Sequence, residues 1–200
     1  MDLALVDAGG ANLGSVRYAF ERLGVNPRVV RHGSELAGAD RIVLPGVGAA
    51  APAMQALQER GFVEVLRGTR LPVLGVCLGM QLLYASSEES NTSCLGVMPG
   101  RVIKLQQQPH VRVPHMGWNN LQVARDHWMS QGLIADDRAY FVHSYVAPVD
   151  QDCLAWTRHG VEFASMCVRA NFAGMQFHPE RSSSSGARLL QRFLQWSPDA

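Results

Sequence analysis

The sequence predicts an α/β protein: a mostly parallel, doubly wound sheet with flanking helices, extended by an added antiparallel β section. Three observations carry that expectation. Short apolar runs recur at Leu3–Val6, Arg41–Leu44 and Pro72–Val76, each closed by turn formers. Continuous apolar runs of that length fit strands buried on both faces, as in a parallel sheet. Helix-period stretches lie between them, and strands alternating with helices build a parallel sheet. From about Gly96 onward the pattern changes to closely spaced β-like runs with few helical stretches.

Taken in order, Leu3–Val6 is a first strand that runs into a turn cluster, Asp7 to Asn12. Leu13, Val16, Ala19, Phe20 and Leu23 recur at helical spacing, and Gly24 supplies a residue free to end the helix. Arg28–Arg31 is a short second strand. Arg41–Leu44 is a third, leading into Pro45-Gly46-Val47-Gly48. A helix over Ala49–Arg60 and a shorter one over Phe62–Leu66 precede the strand Pro72–Val76 and the helix-forming stretch Leu78–Leu83. The β section comprises Gly100–Leu105, Asn119–Val123, Ala139–Val146, Cys153–Thr157 and Val161–Arg169, with Gln106–Pro109 as an exposed loop. Phe172–Phe177 is a last strand. Ser182 to Ser185 offer helix caps for a closing helix, Ala187–Trp196, with Leu189, Leu190, Phe193 and Leu194 on one face.

Composition bounds the function. The 200 residues suit one well-filled domain, residues 1–200. With 47% hydrophobic and 18% charged residues the chain is globular rather than disordered. A net charge of +1 gives no reason to expect nucleic acid or an anionic membrane as a partner. Cys77, Cys94, Cys153 and Cys167 form no CxxC pair and no metal-ligand spacing, so they are expected to be reduced thiols in the cytoplasm, with no metal and no cofactor. The N-terminus lacks a signal peptide's basic region, and no run of about 18 apolar residues exists to span a membrane.

The chemistry centres on Leu71–Leu83. Cys77 falls between a buried strand and a helix, flanked by Gly75 and Gly79, which permit a sharp turn and close approach. A thiol at a helix N-terminus is favoured as thiolate, and the arrangement is a nucleophile elbow carried by cysteine. A small core cysteine is the competing explanation. It weakens because His178-Pro179-Glu180 ends another strand of the same sheet. In an extended segment, residues two apart point the same way, so Glu180 can orient the His178 imidazole. Gly46 and Gly48 free backbone N–H groups to face an oxyanion, although such a loop alone would be an ordinary strand-to-helix turn.

At this point GVCLGMQLL, the PGVG loop and FHPERS resemble a class I glutamine amidotransferase domain, over nearly the whole chain. DAGGANLGSV, SEES, PHMGWN and YFVHSY narrow the likeness to the glutaminase subunits of imidazole glycerol phosphate synthases, enzymes of histidine biosynthesis. Ala11 departs from a glycine common in relatives. The resemblance implies a flavodoxin-like fold and a heterodimeric enzyme. It implies Cys77 as nucleophile on the glutamine side-chain amide, His178 as general acid and base, and Glu180 as its orienting carboxylate. The N–H of Leu78 and one from the Val47–Gly48 peptide would form the oxyanion hole. Gly46, Gln81, Glu89 and the main chain of Ser144 and Tyr145 would hold glutamine, the Glu89 charge meeting the substrate's α-ammonium and the Ser144–Tyr145 main chain its α-carboxylate. The partner implied is a (β/α)8-barrel cyclase subunit that receives ammonia, with Trp118, Asn119, Tyr140 and Arg181 as docking candidates. For Trp118 a core position is the other explanation. Two rivals remain. The glutaminase subunit of pyridoxal phosphate synthase usually has Gly-Gly-Glu-Ser where this chain has Gly46-Val47-Gly48. A non-catalytic cysteine-elbow protein need not keep the His-Glu pair. Val47 is β-branched and stiff, so the peptide after it is expected to need a partner's help to present its N–H, leaving the isolated chain a poor glutaminase.

Overall fold

The computed structural model describes residues 1–9, 12–134 and 136–198; Ala11 and part of the Asp7–Asn12 turn cluster lie outside the described residues. The first half alternates as expected. Strand β1 (Leu3–Val6) is followed by helix α1 (Leu13–Glu21), β2 (Arg28–Val30), β3 (Arg41–Gly46), α2 (Ala50–Glu59), α3 (Phe62–Gly68), β4 (Val73–Cys77) and the single turn α4 (Leu78–Gln81). The second half contributes β5 (Ser86–Ser87), β6 (Thr92–Ser93), β7 (Arg101–Lys104), β8 (His115–Asn120), β9 (Gln122–Val123), β10 (Arg138–His143), β11 (Tyr145–Val146), β12 (Cys153–His159), β13 (Val161–Arg169) and β14 (Phe172–Met175), closed by α5 (Ser183–Gln195).

The main sheet has eight strands in the order β2-β1-β3-β4-β14-β13-β12-β9. The first five run parallel, and β13, β12 and β9 continue the sheet antiparallel. The apolar runs are explained by what each face meets. In β1, Leu3 and Leu5 enter one hydrophobic cluster, shared with Val16 and Phe20 of α1 and Leu189 and Phe193 of α5. Ala4 and Val6 enter a second, shared with Leu57 of α2 and Phe62 of α3. β4 divides likewise, with Leu74 and Val76 in the first cluster and Val73 in the second. A strand that feeds two cores has no polar face to show. Each wholly buried leucine of this kind contributes roughly 1.5–3 kcal/mol by transfer from water.

The antiparallel section departs from a simple extension of the sheet. β8 and β10 form a separate two-stranded ribbon, and β11-β7-β5-β6 make a small four-stranded sheet. The β-like run predicted a strand from Asn119, but β8 begins at His115. Its burial alternates strictly, with His115 buried and Met116 and Trp118 exposed, and a polar residue on the inner face hides that period from a reading of apolar residues. The helix expected over Leu78–Leu83 stops at Gln81. α5 starts at Ser183, four residues before the expected start at Ala187. Ser182 precedes it without capping it: its hydroxyl instead donates to the His178 carbonyl (2.7 Å) and accepts from the Tyr140 N–H (3.0 Å). Packing, not propensity, starts this helix. A Cβ on Gly186 would lie 1.9 Å from the Pro179 carbonyl oxygen.

Candidate active site

Cys77 ends β4 and directly precedes α4, with φ 55° and ψ −112°. This is a left-handed value that a non-glycine residue rarely adopts. The turn is possible because α4 lies against bare backbone. A Cβ on Gly79 would stand 1.8 Å from the Leu44 carbonyl oxygen, and one on Gly75 would stand 2.6 Å from that of Gly79. Gly46 pairs in register with Cys77 on the neighbouring strand, and a Cβ there would meet the Gly79 nitrogen at 2.7 Å. These three glycines let the elbow sit flush on the sheet. The other cysteines are buried differently. Burial pushes the Cys94 thiol up to about 11 and the Cys153 thiol up to about 12, and it raises Cys167 as well.

His178 follows β14, the strand that pairs in parallel with β4, so strand order brings it to the side of Cys77. Its N–H donates to the Tyr140 carbonyl at 2.9 Å, fixing the backbone. Its Nδ1 meets Glu180 Oε1 at 2.8 Å. The same oxygen accepts from Asn12 Nδ2 at 2.7 Å. The Glu180 side chain is fully buried, and its second oxygen has no hydrogen-bond partner among the described residues. Burial alone would lower the imidazole pKa. Hydrogen bonding to Cys77 and then to Glu180 outweighs it and carries His178 up to about 10. The proton is thus held on the imidazole beside the sulfur, with the Glu180 oxygen accepting a hydrogen bond from Nδ1 behind it.

A cavity of about 310 Å³ opens over these groups, at the carboxyl ends of the parallel strands. Val47, Gly48, Cys77, Leu78, Gln81, Glu89, Ser144, Tyr145 and His178 line it, together with Pro114, Val142 and His143. Gly48 has φ 93°, a conformation for which glycine suits the turn beside the sulfur. Gly46 lies behind this loop, lining an adjoining cavity with Val6 and Leu13. Glu89 Oε2 accepts the Ala50 N–H at 2.7 Å, so the carboxylate caps the start of α2 from across the cavity. Gln81 is only 4% exposed and donates to the Tyr145 carbonyl (3.0 Å) and to Gln176 Oε1 (2.9 Å). The Ser144 carbonyl accepts the Leu105 N–H at 2.8 Å. A carboxylate only accepts, so one entering beside this segment would have to be met by its N–H groups, not by its carbonyls.

Four further residues were expected to face a partner. Trp118 is 47% exposed rather than in the core, and it packs edge-on against Tyr140 at 6.1 Å. The two are directly paired across β8 and β10. Arg181 is exposed and Asn119 half-buried. Residues that the sequence reading passed over are Gln176, His143, His115 and Asn12. Gln176, wholly buried, points Nε2 toward the Cys77 sulfur at 3.9 Å. Its signal was a lone amide between Met175 and Phe177 in an otherwise apolar strand. Asn12 was visible only as a turn former, because its partner is 168 positions away.

An elbow cysteine and a glycine loop at one cavity, with a histidine backed by a carboxylate, are the groups that a cysteine-dependent amidohydrolase on a doubly wound sheet would need. The chain belongs to the class I glutamine amidotransferase family, whose model matches residues 4–196. Within it, the chain falls among the HisH subunits of imidazole glycerol phosphate synthase. It is 53% identical to the subunit of that name from Xanthomonas campestris pv. campestris strain 8004 over 196 residues, 98% of each chain. It is 49% identical to that of Xylella fastidiosa strain Temecula1 over 194 residues, 97% of each chain. Among solved structures, one described as a glutamine amidotransferase superposes with a TM-score of 0.75 at 22% identity, covering 96% of this chain and 97% of that one. A glutamine amidotransferase from Thermotoga maritima gives 0.63 at 16% identity, covering 98% and 81%. At those identities the structural likeness supports the fold.

Proposed function

We propose that this chain is the glutaminase subunit of an imidazole glycerol phosphate synthase. As one domain over residues 1–200 it hydrolyses glutamine to glutamate and ammonia. The ammonia passes to a (β/α)8-barrel cyclase subunit, which makes imidazole glycerol phosphate and aminoimidazole carboxamide ribotide. The observation that carries the reading is the shared cavity of Cys77 and His178, with Glu180 bonded behind the imidazole at 2.8 Å.

The chemistry follows from those groups. The Cys77 thiolate attacks the amide carbon of glutamine. The carbonyl oxygen takes the negative charge and is met by the N–H of Leu78 and one from the Val47–Gly48 peptide. Each such donor is worth roughly 3–4 kcal/mol of transition-state stabilisation. His178, held as imidazolium by its partners, gives its proton to the departing nitrogen. Ammonia leaves and a thioester remains. The neutral imidazole then takes a proton from water, which attacks the thioester; glutamate leaves and the thiolate and imidazolium are restored. Glu180 acts through His178 throughout. Glu89 suits the α-ammonium by charge, and Gln81 and the Ser144–Tyr145 main chain suit the rest of the amino acid.

A glutaminase that released ammonia into water would lose it to protonation and diffusion. The partner therefore docks against the carboxyl-end face, where Trp118, Tyr140, Asn119 and Arg181 supply aromatic and guanidinium anchors. Both subunits work in the cytoplasm; no described helix is long and apolar enough to cross a membrane. The test is glutamate release from glutamine by the free chain, by the complex, and by the complex with the cyclase nucleotide. The complex is expected to release glutamate faster than the free chain. Cys77→Ser is expected to lose more than about 10³-fold while ammonia-dependent synthesis by the complex persists. Glutaminase activity surviving Cys77→Ser would overturn the mechanism.

A further inference from the structure

Two histidines outside the catalytic pair occupy the segments PHMGWN and YFVHSY. His115 on β8 and His143 on β10 are register partners, and both are buried. They belong to a continuous file of hydrogen bonds. At its inner end His143 Nδ1 lies 2.9 Å from the Tyr145 carbonyl. His143 Nε2 lies 3.1 Å from His115 Nδ1, and His115 Nε2 lies 3.3 Å from Asn119 Nδ2. At the outer end Asn119 Nδ2 donates to the Arg158 carbonyl (3.0 Å) while Asn119 Oδ1 accepts the Asn120 N–H (2.8 Å).

The direction of every proton in this file is fixed by its ends. A carbonyl only accepts, so Nδ1 of His143 carries hydrogen and, in the neutral ring, Nε2 is an acceptor. His115 must then donate from Nδ1 and accept at Nε2. The Asn119 amide, oriented independently by Arg158 and Asn120, presents the NH2 that His115 requires. One tautomer of each ring satisfies all the contacts together. The rings are also clamped: His115 stacks on Phe141 (4.8 Å) and on His159 (4.0 Å), and His143 meets Phe163 edge-on (5.0 Å). Burial, reinforced by His159, lowers His115 to about 4; burial and then His115 lower His143 to about 3 against the opposing hydrogen bond to the Tyr145 carbonyl, with His159 and His178 as the other titratable groups that face it.

The inner end of the file is also where the nucleophile's helix is tied. The Tyr145 carbonyl receives Gln81 Nε2 from α4 as well as His143 Nδ1. We propose that His115 and His143 are positioning residues: through the Asn119–His115–His143–Tyr145 file they fix the Ser144–Tyr145 wall of the glutamine cavity and link it to the strand that carries Trp118. This deepens the glutaminase reading above and rests on it. His115 touches no residue of the reaction and does not line the cavity, so its contribution is to the placing of substrate.

The test uses the complex with its cyclase subunit. His115→Phe keeps a flat ring for the stacking contacts and removes both nitrogens. His115→Asn keeps an amide nitrogen near the position of Nδ1. The first is expected to raise KM for glutamine about 5- to 20-fold with kcat within about twofold, the size expected for losing one buried hydrogen bond. Ammonia-dependent synthesis should be unchanged, and His115→Asn should restore most of the lost affinity. Nitrogen-15 spectra of the wild-type imidazoles should show His143 protonated at Nδ1 alone from pH 8 down to pH 5. Unchanged KM in His115→Phe, or failure of His115→Asn to recover affinity while both variants match wild type in thermal unfolding, would refute the file as a positioning device. So would a His143 that titrates near pH 6.5. A wild-type complex unable to release glutamate from glutamine would instead refute the glutaminase reading itself.

Discussion

Replacing Glu180 by glutamine separates charge from hydrogen bonding at His178, the general acid and base of the proposed mechanism. Oε1 of Glu180 accepts from both His178 Nδ1 (2.8 Å) and Asn12 Nδ2 (2.7 Å). A glutamine of the same shape can keep its oxygen there and preserve both contacts. It then places an NH2 where the second oxygen lies, a fully buried position with no hydrogen-bond partner among the described residues. The variant loses the negative charge behind the imidazolium and gains an unsatisfied donor. Hydrogen bonds to charged groups contribute about 1.5–3 kcal/mol, and at 1.36 kcal/mol per decade that is roughly a 10- to 150-fold loss of kcat. KM for glutamine should stay within about twofold, since the carboxylate meets the imidazole and not the substrate. The pH profile gives the sign. His178 is raised above its ordinary value, so its proton is fully held at and below neutrality and leaves as pH rises toward about 10. Without the carboxylate, burial weighs more heavily and the proton leaves sooner, moving the alkaline limb of kcat to lower pH. Steady-state glutaminase assays of the complex from pH 6 to 10 read both effects. A raised KM with unchanged kcat and an unmoved alkaline limb would refute the orienting role.

Two further outcomes follow from the packing. Gly79→Ala drives a methyl group into the Leu44 carbonyl, 1.8 Å away, so thermal unfolding should show a loss of at least about 1–3 kcal/mol, as for overpacking; an unchanged Tm would mean the elbow is looser than described. Trp118→Ala removes an aromatic ring that is 47% exposed, so Tm should barely move while affinity for the cyclase subunit falls at least tenfold, about 1.4 kcal/mol, by titration calorimetry. An unchanged Kd would remove Trp118 from the docking face.

The parallel half of the fold was legible because its strands are buried on both faces, and continuous apolar runs such as Leu3–Val6 declare that directly. Cys77, His178 and Glu180 could be picked out as candidates because Cys77 ends a strand between two glycines and His178-Pro179-Glu180 follows another. The ribbon of β8 and β10 was half hidden. Its inner face carries His115 and His143, which satisfy one another across strands, and a buried polar pair looks like an exposed one until its partner is found. Gln176 was missed for the same reason. Ser182 shows the converse error: a serine before a helix suggests a cap, but tertiary contacts to His178 and Tyr140 claimed its hydroxyl. Local sequence reports propensity; it does not report which distant group will take up a polar side chain.

The backbone at Cys77 has an implication for how the protein can change. With φ 55° and ψ −112°, the nucleophile occupies a conformation natural to glycine, and such a residue carries on the order of 1–3 kcal/mol of strain. The rest of the elbow has already conceded its side chains at Gly46, Gly75 and Gly79, yet the one position whose backbone would most benefit from glycine keeps a side chain. Reactivity and stability therefore compete at a single residue. Selection for heat resistance alone would favour Cys77→Gly, producing a sturdier fold with no nucleophile. An engineering campaign on this chain would have to gain its stability at sites far from residue 77.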